Sequence, residues 1–179
     1  HHNPEESLLC SEISRILSDL QTNYHIEGLI FDLRNNLGGF LHEAACISAL
    51  FLPRNRILVT MENLDSSARY QWTSAQDGDL LPLVLLVNSQ SSSASELVAG
   101  AFQDHQRAYL VGERTFRNGT AQNAEPWEGF QDDIVILRTI GRFYLPSGRT
   151  NQIYGVIPDF EVYRQPNPTE LDQFALREE

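Results

Sequence analysis

Two short stretches hold residues able to do chemistry together. Asn88-Ser89-Gln90-Ser91-Ser92-Ser93-Ala94-Ser95-Glu96 packs five serines into nine residues, and Gly38-Gly39 closes the run Asn35-Asn36-Leu37. A serine placed where a strand turns into a helix gains an anion site from the first free N–H groups of that helix. A glycine pair lets backbone N–H groups come close to a ligand. A nucleophile beside such donors is two parts of an acyl-transfer site. Each stretch also has a purely structural reading. Ser93-Ala94-Ser95-Glu96 matches the capping box, with Ser93 as N-cap and Glu96 at N3, and on local pattern alone that reading is the stronger. Gly38-Gly39 alone reads as a tight turn.

The flanking elements decide whether the two stretches can meet. Gly28-Leu29-Ile30-Phe31-Asp32-Leu33 and Leu83-Val84-Leu85-Leu86-Val87 are short apolar runs of the kind buried in a parallel sheet. One ends at the glycine pair and the other at the serines. In parallel α/β sheets, sites form beyond the carboxyl ends of the strands, so neighbouring strands here would open both loops on one edge. Helices are expected from about Asn3, with Pro4 at N1, to Thr22, from Leu41 to Phe51, and from about Ser95 to Gln106. Strands are expected at 57–61, 69–73 and 108–111, then at 134–137, 142–144 and 160–162. The tail from Pro168 reads as a short helix. The chain is therefore read as one α/β domain with a mostly parallel sheet, flanking helices and a β-rich C-terminal part.

Composition narrows the partners. The 179 residues suffice for one domain with a core, and no apolar run has the length of a membrane span. A formal charge of −11 argues against a nucleic-acid or anionic-membrane surface. The histidines are scattered, which argues against a zinc site. Cys10 and Cys46 sit in helical, apolar contexts without CxxC spacing. Two buried thiols are the favoured reading over a disulfide or a metal site. All 13 basic residues are arginine, so the chain has no lysine.

Four motifs in order carry a more specific likeness: GLIFDLRNNLGGFLHEA (28–44), PLVLLVNSQSSSASELVAGAFQDHQRAYLVGERTF (82–116), GTAQ (119–122) and RFYLPSGRTNQIYGVIPD (142–159). Together they resemble the catalytic core of the carboxyl-terminal processing peptidases, also called tail-specific proteases, without the PDZ domain that usually gates them. The resemblance runs from about residue 26 to 163. It leaves 1–25 as a leading helix and 164–179 as a tail, and it suggests a fragment or a truncated homologue. It implies a ClpP/crotonase-type fold and a serine peptidase needing no cofactor. It also implies protein substrates cut near their carboxyl termini, an oligomer as one possibility, and a bacterial periplasm or cell envelope as the compartment.

Carried over by position, the resemblance puts the nucleophile on Ser93, the oxyanion donors on the N–H groups of Gly39 and Ala94, and a supporting glutamine on Gln122. The general-base lysine of the family belongs in a TFGKG segment. Here that segment is Thr115-Phe116-Arg117-Asn118-Gly119, so Asn118 holds the lysine position, 25 residues after Ser93, and Arg117 replaces the preceding glycine. A desolvated lysine can take the serine proton near neutral pH, whereas an asparagine amide and an arginine cannot. The expected function is a serine-type peptidase domain that is weak or inactive as it stands. The alternatives are a peptide-binding pseudoprotease module and an active enzyme with a surrogate base, for which His42, His105 and Glu113 are the candidates.

Overall fold

The computed structural model describes residues 8–126 and 135–163. Its element order is α1 (Leu8–Tyr24), β1 (Leu29–Asp32), α2 (Leu41–Ala49), β2 (Ile57–Asn63), β3 (Arg69–Thr73), β4 (Leu83–Val87), α3 (Ala94–Asp104), β5 (Tyr109–Gly112), β6 (Thr120–Pro126), β7 (Val135–Tyr144) and β8 (Phe160–Glu161).

The strands divide into two sheets of four. A parallel sheet has the order β1-β4-β5-β8, and an antiparallel sheet has the order β3-β2-β7-β6. The fold is thus α/β with a parallel sheet and flanking helices. The β-rich part differs from the expected one. It recruits β2 and β3 from the middle of the chain, and the closing strand β8 returns to the parallel sheet. The core lies between the sheets and α3. Leu85, Val87 and Leu110 of the parallel sheet, Ala99, Ala101 and Phe102 of α3, and Leu145 are fully buried together.

One strand was not expected, and two expected strands are one. β6 reads Thr-Ala-Gln-Asn-Ala-Glu-Pro, with Gln122, Asn123 and Ala124 exposed. It has no apolar face to announce it and is a strand because β7 pairs along its whole length. The expected strands at 134–137 and 142–144 are one strand, β7, which continues through Gly141. A Cβ at Gly141 would lie 2.7 Å from the Glu62 carbonyl oxygen, so glycine there permits the approach of β2. The expected caps at Asn3-Pro4 and the tail helix from Pro168 lie outside the described residues.

The cysteines are also corrected. Cys10 in α1 and Cys46 in α2 form a disulfide, with Cα atoms 6.0 Å apart. Glu43 supports the same junction, since its carboxylate accepts the N–H groups of Leu9 (3.3 Å) and Cys10 (2.9 Å) at the start of α1. Spacing along the chain held no sign of this pairing, because the contact exists only once the two helices pack.

Candidate active site

β1 and β4 are direct parallel neighbours, with Leu29 opposite Leu83 and Asp32 opposite Leu86. Their carboxyl ends therefore coincide, and the glycine loop and the serine turn lie side by side. Hydrogen bonds stitch them together. Ser91 Oγ donates to the Leu33 carbonyl (2.8 Å), and Ser92 N–H donates to the Asn36 carbonyl (3.0 Å). Asn35 and Asn88 exchange two bonds of 2.9 Å. Asn36 Oδ1 accepts Gly38 N–H and Ser95 Oγ, each at 2.9 Å.

The two glycines have different tasks. Gly38 has φ +99°, and a Cβ on it would lie 2.7 Å from the Ser92 carbonyl oxygen and 2.9 Å from Ser93 Cβ. Only glycine fits there. A Cβ on Gly39 would meet nothing within 4 Å, so open space surrounds that residue. Gly38 N–H is occupied by Asn36. Among the described residues, Gly39 N–H has no such partner, nor has Ala94 N–H in the first turn of α3.

Ser93 is the N-cap of α3 and half-buried, at φ 52° and ψ −118°. A non-glycine residue held there is strained, and such strain is typical of functional turns. The capping box is present in outline. Glu96 Oε2 accepts Ser93 N–H at 3.0 Å, and Glu96 N–H donates to the Ser93 carbonyl oxygen at 2.9 Å.

Glu96 does more than cap. Its side chain is fully buried. Oε2 also accepts Asn118 N–H at 2.8 Å, while Oε1 accepts Arg117 N–H at 2.9 Å and Thr115 Oγ1 at 2.5 Å. One carboxylate oxygen thus binds the backbone of both Ser93 and Asn118, and the nucleophile position and the lysine position meet across it. Burial pushes the Glu96 carboxyl above the usual range, against the opposing pull of these four donors.

The 115–119 strap carries the changed residues. Arg117 sits at φ 89°, a region that strains any L side chain, and among the described residues its Nε is buried without a hydrogen-bond partner. Asn118 is half-buried and turned into its own loop. Its Oδ1 accepts Thr120 N–H at 3.2 Å, and its carbonyl accepts Asn151 Nδ2 at 2.6 Å. Gln122 follows on β6 beside a register shift, exposed and opposite Thr139.

The surrogate bases separate by position. His105 ends α3, and its Nε2 lies 2.6 Å from the Ile57 carbonyl, so that nitrogen is the donor. The full length of α3 lies between it and Ser93, which removes it as a base. His42 stands in the first turn of α2, just past the glycine loop, with its ring stacked on Phe40 at 5.4 Å. Glu113 accepts Ser89 N–H at 3.4 Å. The sequence reading gave no role to Asn36, Asn88 or Thr115, and it saw Glu96 only as a cap. The polar NN and SE pairs flanking the loops were the available signal.

The model of peptidase family S41 matches residues 8–162. The chain belongs to peptidase family S41. It is 37% identical over 155 residues to a carboxyl-terminal-processing protease of Synechocystis, covering 87% of this chain and 35% of that protein. It is 33% identical to a carboxy-terminal-processing protease of Bartonella bacilliformis, covering 88% of this chain and 36% of that one. Among solved structures it matches a photosystem II D1 C-terminal processing protease with a TM-score of 0.69 at 29% identity, covering 89% of this chain and 40% of that one. The chain thus spans a little over a third of the length of these relatives. Family S41 membership makes it a serine peptidase domain by descent.

Proposed function

We propose that this chain is the core of a carboxyl-terminal processing protease that keeps the nucleophile and oxyanion donors but has lost its general base. The observation that carries the reading is the shared Glu96 oxygen, which holds Ser93 and Asn118 at the two sides of one atom. In this reading Ser93 Oγ attacks a peptide carbonyl and the N–H groups of Gly39 and Ala94 receive the developing oxyanion. Gln122 stands in the supporting position. The Ser93 proton needs an acceptor, and the Asn118 amide has no basic lone pair near neutral pH. Hydrolysis is therefore weak or absent, while the site still holds a peptide near its carboxyl terminus.

The orientation of Asn118 towards Thr120 supports a binding role as the second reading, because the amide is committed to loop shape. An envelope or other oxidising compartment fits the Cys10–Cys46 disulfide, since such bonds persist there.

Hydrolysis of an unstructured protein by the chain, by Ser93→Ala and by Asn118→Lys separates the readings. Activity appearing only with Asn118→Lys supports the lost base. Activity of the unaltered chain that Ser93→Ala abolishes supports a surrogate base, with His42 the first residue to test. Peptide binding without hydrolysis in every form supports the binding module.

A further inference from the structure

Arg107 and Arg117 are the two half-buried arginines among the described residues. Arg107 spends its guanidinium on backbone carbonyls, donating to Phe51 (2.6 Å), Asp79 (2.8 Å) and Leu81 (2.7 Å). Arg117 spends its own on nothing in the chain. Among the described residues it makes no ion pair, and its buried Nε has no acceptor. The Glu96 carboxylate is already taken. One oxygen holds the N–H groups of Ser93 and Asn118, and the other holds Arg117 N–H and Thr115 Oγ1. The backbone at 117 does not favour an arginine either, since φ 89° strains any L side chain. The stem is nevertheless given room. A Cβ on Gly155 would lie 3.2 Å from Arg117 Cγ, and the Arg117 carbonyl accepts Ile153 N–H at 3.3 Å. A cation that is strained, half-buried and without a counter-charge costs stability in the chain alone, and such residues collect at ligand clamps.

We propose that Arg117 receives a carboxylate of the peptide held over Ser93. The inference rests on the reading of this chain as a peptide-holding site, and it names what that site selects. Position supports it. Ser93, Arg117 and Asn118 all donate their N–H groups to the Glu96 carboxylate, so Arg117 stands one carboxylate away from the nucleophile position. Chemistry supports it as well. A guanidinium pairs with a carboxylate through two parallel N–H bonds, a geometry no neutral carbonyl can match. The carboxylate is either the free terminus of the peptide or an acidic side chain, and the group is the same in both. The formal charge of −11 repels carboxylates from the chain at large, so selecting one requires a local cation.

The test is peptide binding to the full chain, followed by fluorescence anisotropy. A short labelled peptide without acidic side chains is offered with a free carboxyl terminus, with that terminus amidated, and amidated with an aspartate beside the end. One of the two carboxylate forms should bind roughly tenfold tighter than the plain amide, as for a hydrogen bond to a charged group. Which form wins identifies the source of the carboxylate. Arg117→Gln and Arg117→Gly, each checked by circular dichroism for an intact fold, should bring that ratio to about one, the value for no charge preference. Arg117→Lys, which keeps the charge without the fork, should restore part of it. Equal binding of all forms to the unaltered chain would overturn the proposal and leave the peptide-holding reading standing. So would a preference that survives in Arg117→Gly, or Arg117→Lys behaving as Arg117→Gln does. Loss of the plain amide's binding in both Arg117→Gln and Arg117→Gly would also overturn it, because the arginine would then serve the shape of the strap. No binding of any form to the unaltered chain would overturn both readings.

Discussion

Ser93 and Arg117 are both non-glycine residues at positive φ, 52° and 89°, yet their surroundings differ. Around Ser93 every partner fits the strain. Gly38 yields the space its Cβ would take, Asn36 pins the neighbouring loop, and Glu96 takes the Ser93 N–H. Around Arg117 the backbone is provided for, with Glu96 Oε1 on its N–H, while among the described residues its Nε is buried without a partner. In the Ser93 half, backbone shape and neighbouring side chains agree. In the strap half the Asn118 amide is tied to Thr120, and the side chain that finds no use for the shape among the described residues is that of Arg117. The backbone path of the strap is held by the Glu96 carboxylate and Thr115, together with the Asn118 amide oxygen on Thr120 N–H.

The largest effect should come from restoring the strap's chemistry. Arg117→Gly with Asn118→Lys is expected to raise hydrolysis of an unfolded protein by about 10²–10⁴-fold, the usual worth of a general base. Adding Ser93→Ala should abolish the gain in a gel-based cleavage assay. No gain from an intact fold would mean that the strap's path, and not only its lysine, has been lost.

Next is the tie behind the nucleophile half. Cys10→Ser with Cys46→Ser is expected to lower unfolding free energy by about 3–4 kcal/mol, as for a crosslinked loop of this length. Denaturant melts with and without reductant would show it. The glycine loop leads directly into α2, so the loss should reach the nucleophile side first, visible as faster amide exchange at 36–44 before 115–119.

Glu96→Gln sharpens the comparison from the shared point. A carboxamide offers one acceptor oxygen and turns an NH2 towards N–H donors, so donors on both halves lose their partner. A loss of about 2–3 kcal/mol is expected from buried groups left unsatisfied. The pH dependence has a definite sign. The folded Glu96 carboxyl titrates above its unfolded value, so the folded state binds the proton more tightly. Its contribution to stability is fully present below the ordinary glutamate range and is lost as pH rises through the raised value. Unfolding free energy measured across that window should lose this falling component in Glu96→Gln.

The smallest effect is Arg117→Gly alone, which should stabilise the fold by about 1 kcal/mol through relief of the positive-φ strain. A rise in denaturation midpoint without a change in slope would confirm it. A fall would mean that the arginine stem contributes packing that outweighs the strain.

Much of the architecture was legible in the chain. β1 and β4 are apolar runs stopped by glycine and serine clusters, and both appear where the pattern put them. β3, a five-residue strand from Arg69, also matches. β6 was not legible, because Gln122, Asn123 and Ala124 have no buried face and owe their conformation to β7. The site was half legible. Motif order singled out Ser93 and Asn118, but Glu96 looked like a cap because three of its four donors come from residues about twenty positions on.

By itself the sequence determined the family, through motifs whose order survives divergence, and it determined that these 179 residues contain no lysine. Both are facts of covalent chemistry, independent of folding. Tertiary structure alone decided which of two glycines is sterically required, which cysteines pair and how one buried carboxylate holds both halves of the site. Among the described residues, it alone also decided that Ile30, Tyr109 and Phe160 of the parallel sheet are exposed. These are distances between residues far apart in the chain, and only the packing of the strands and helices sets them.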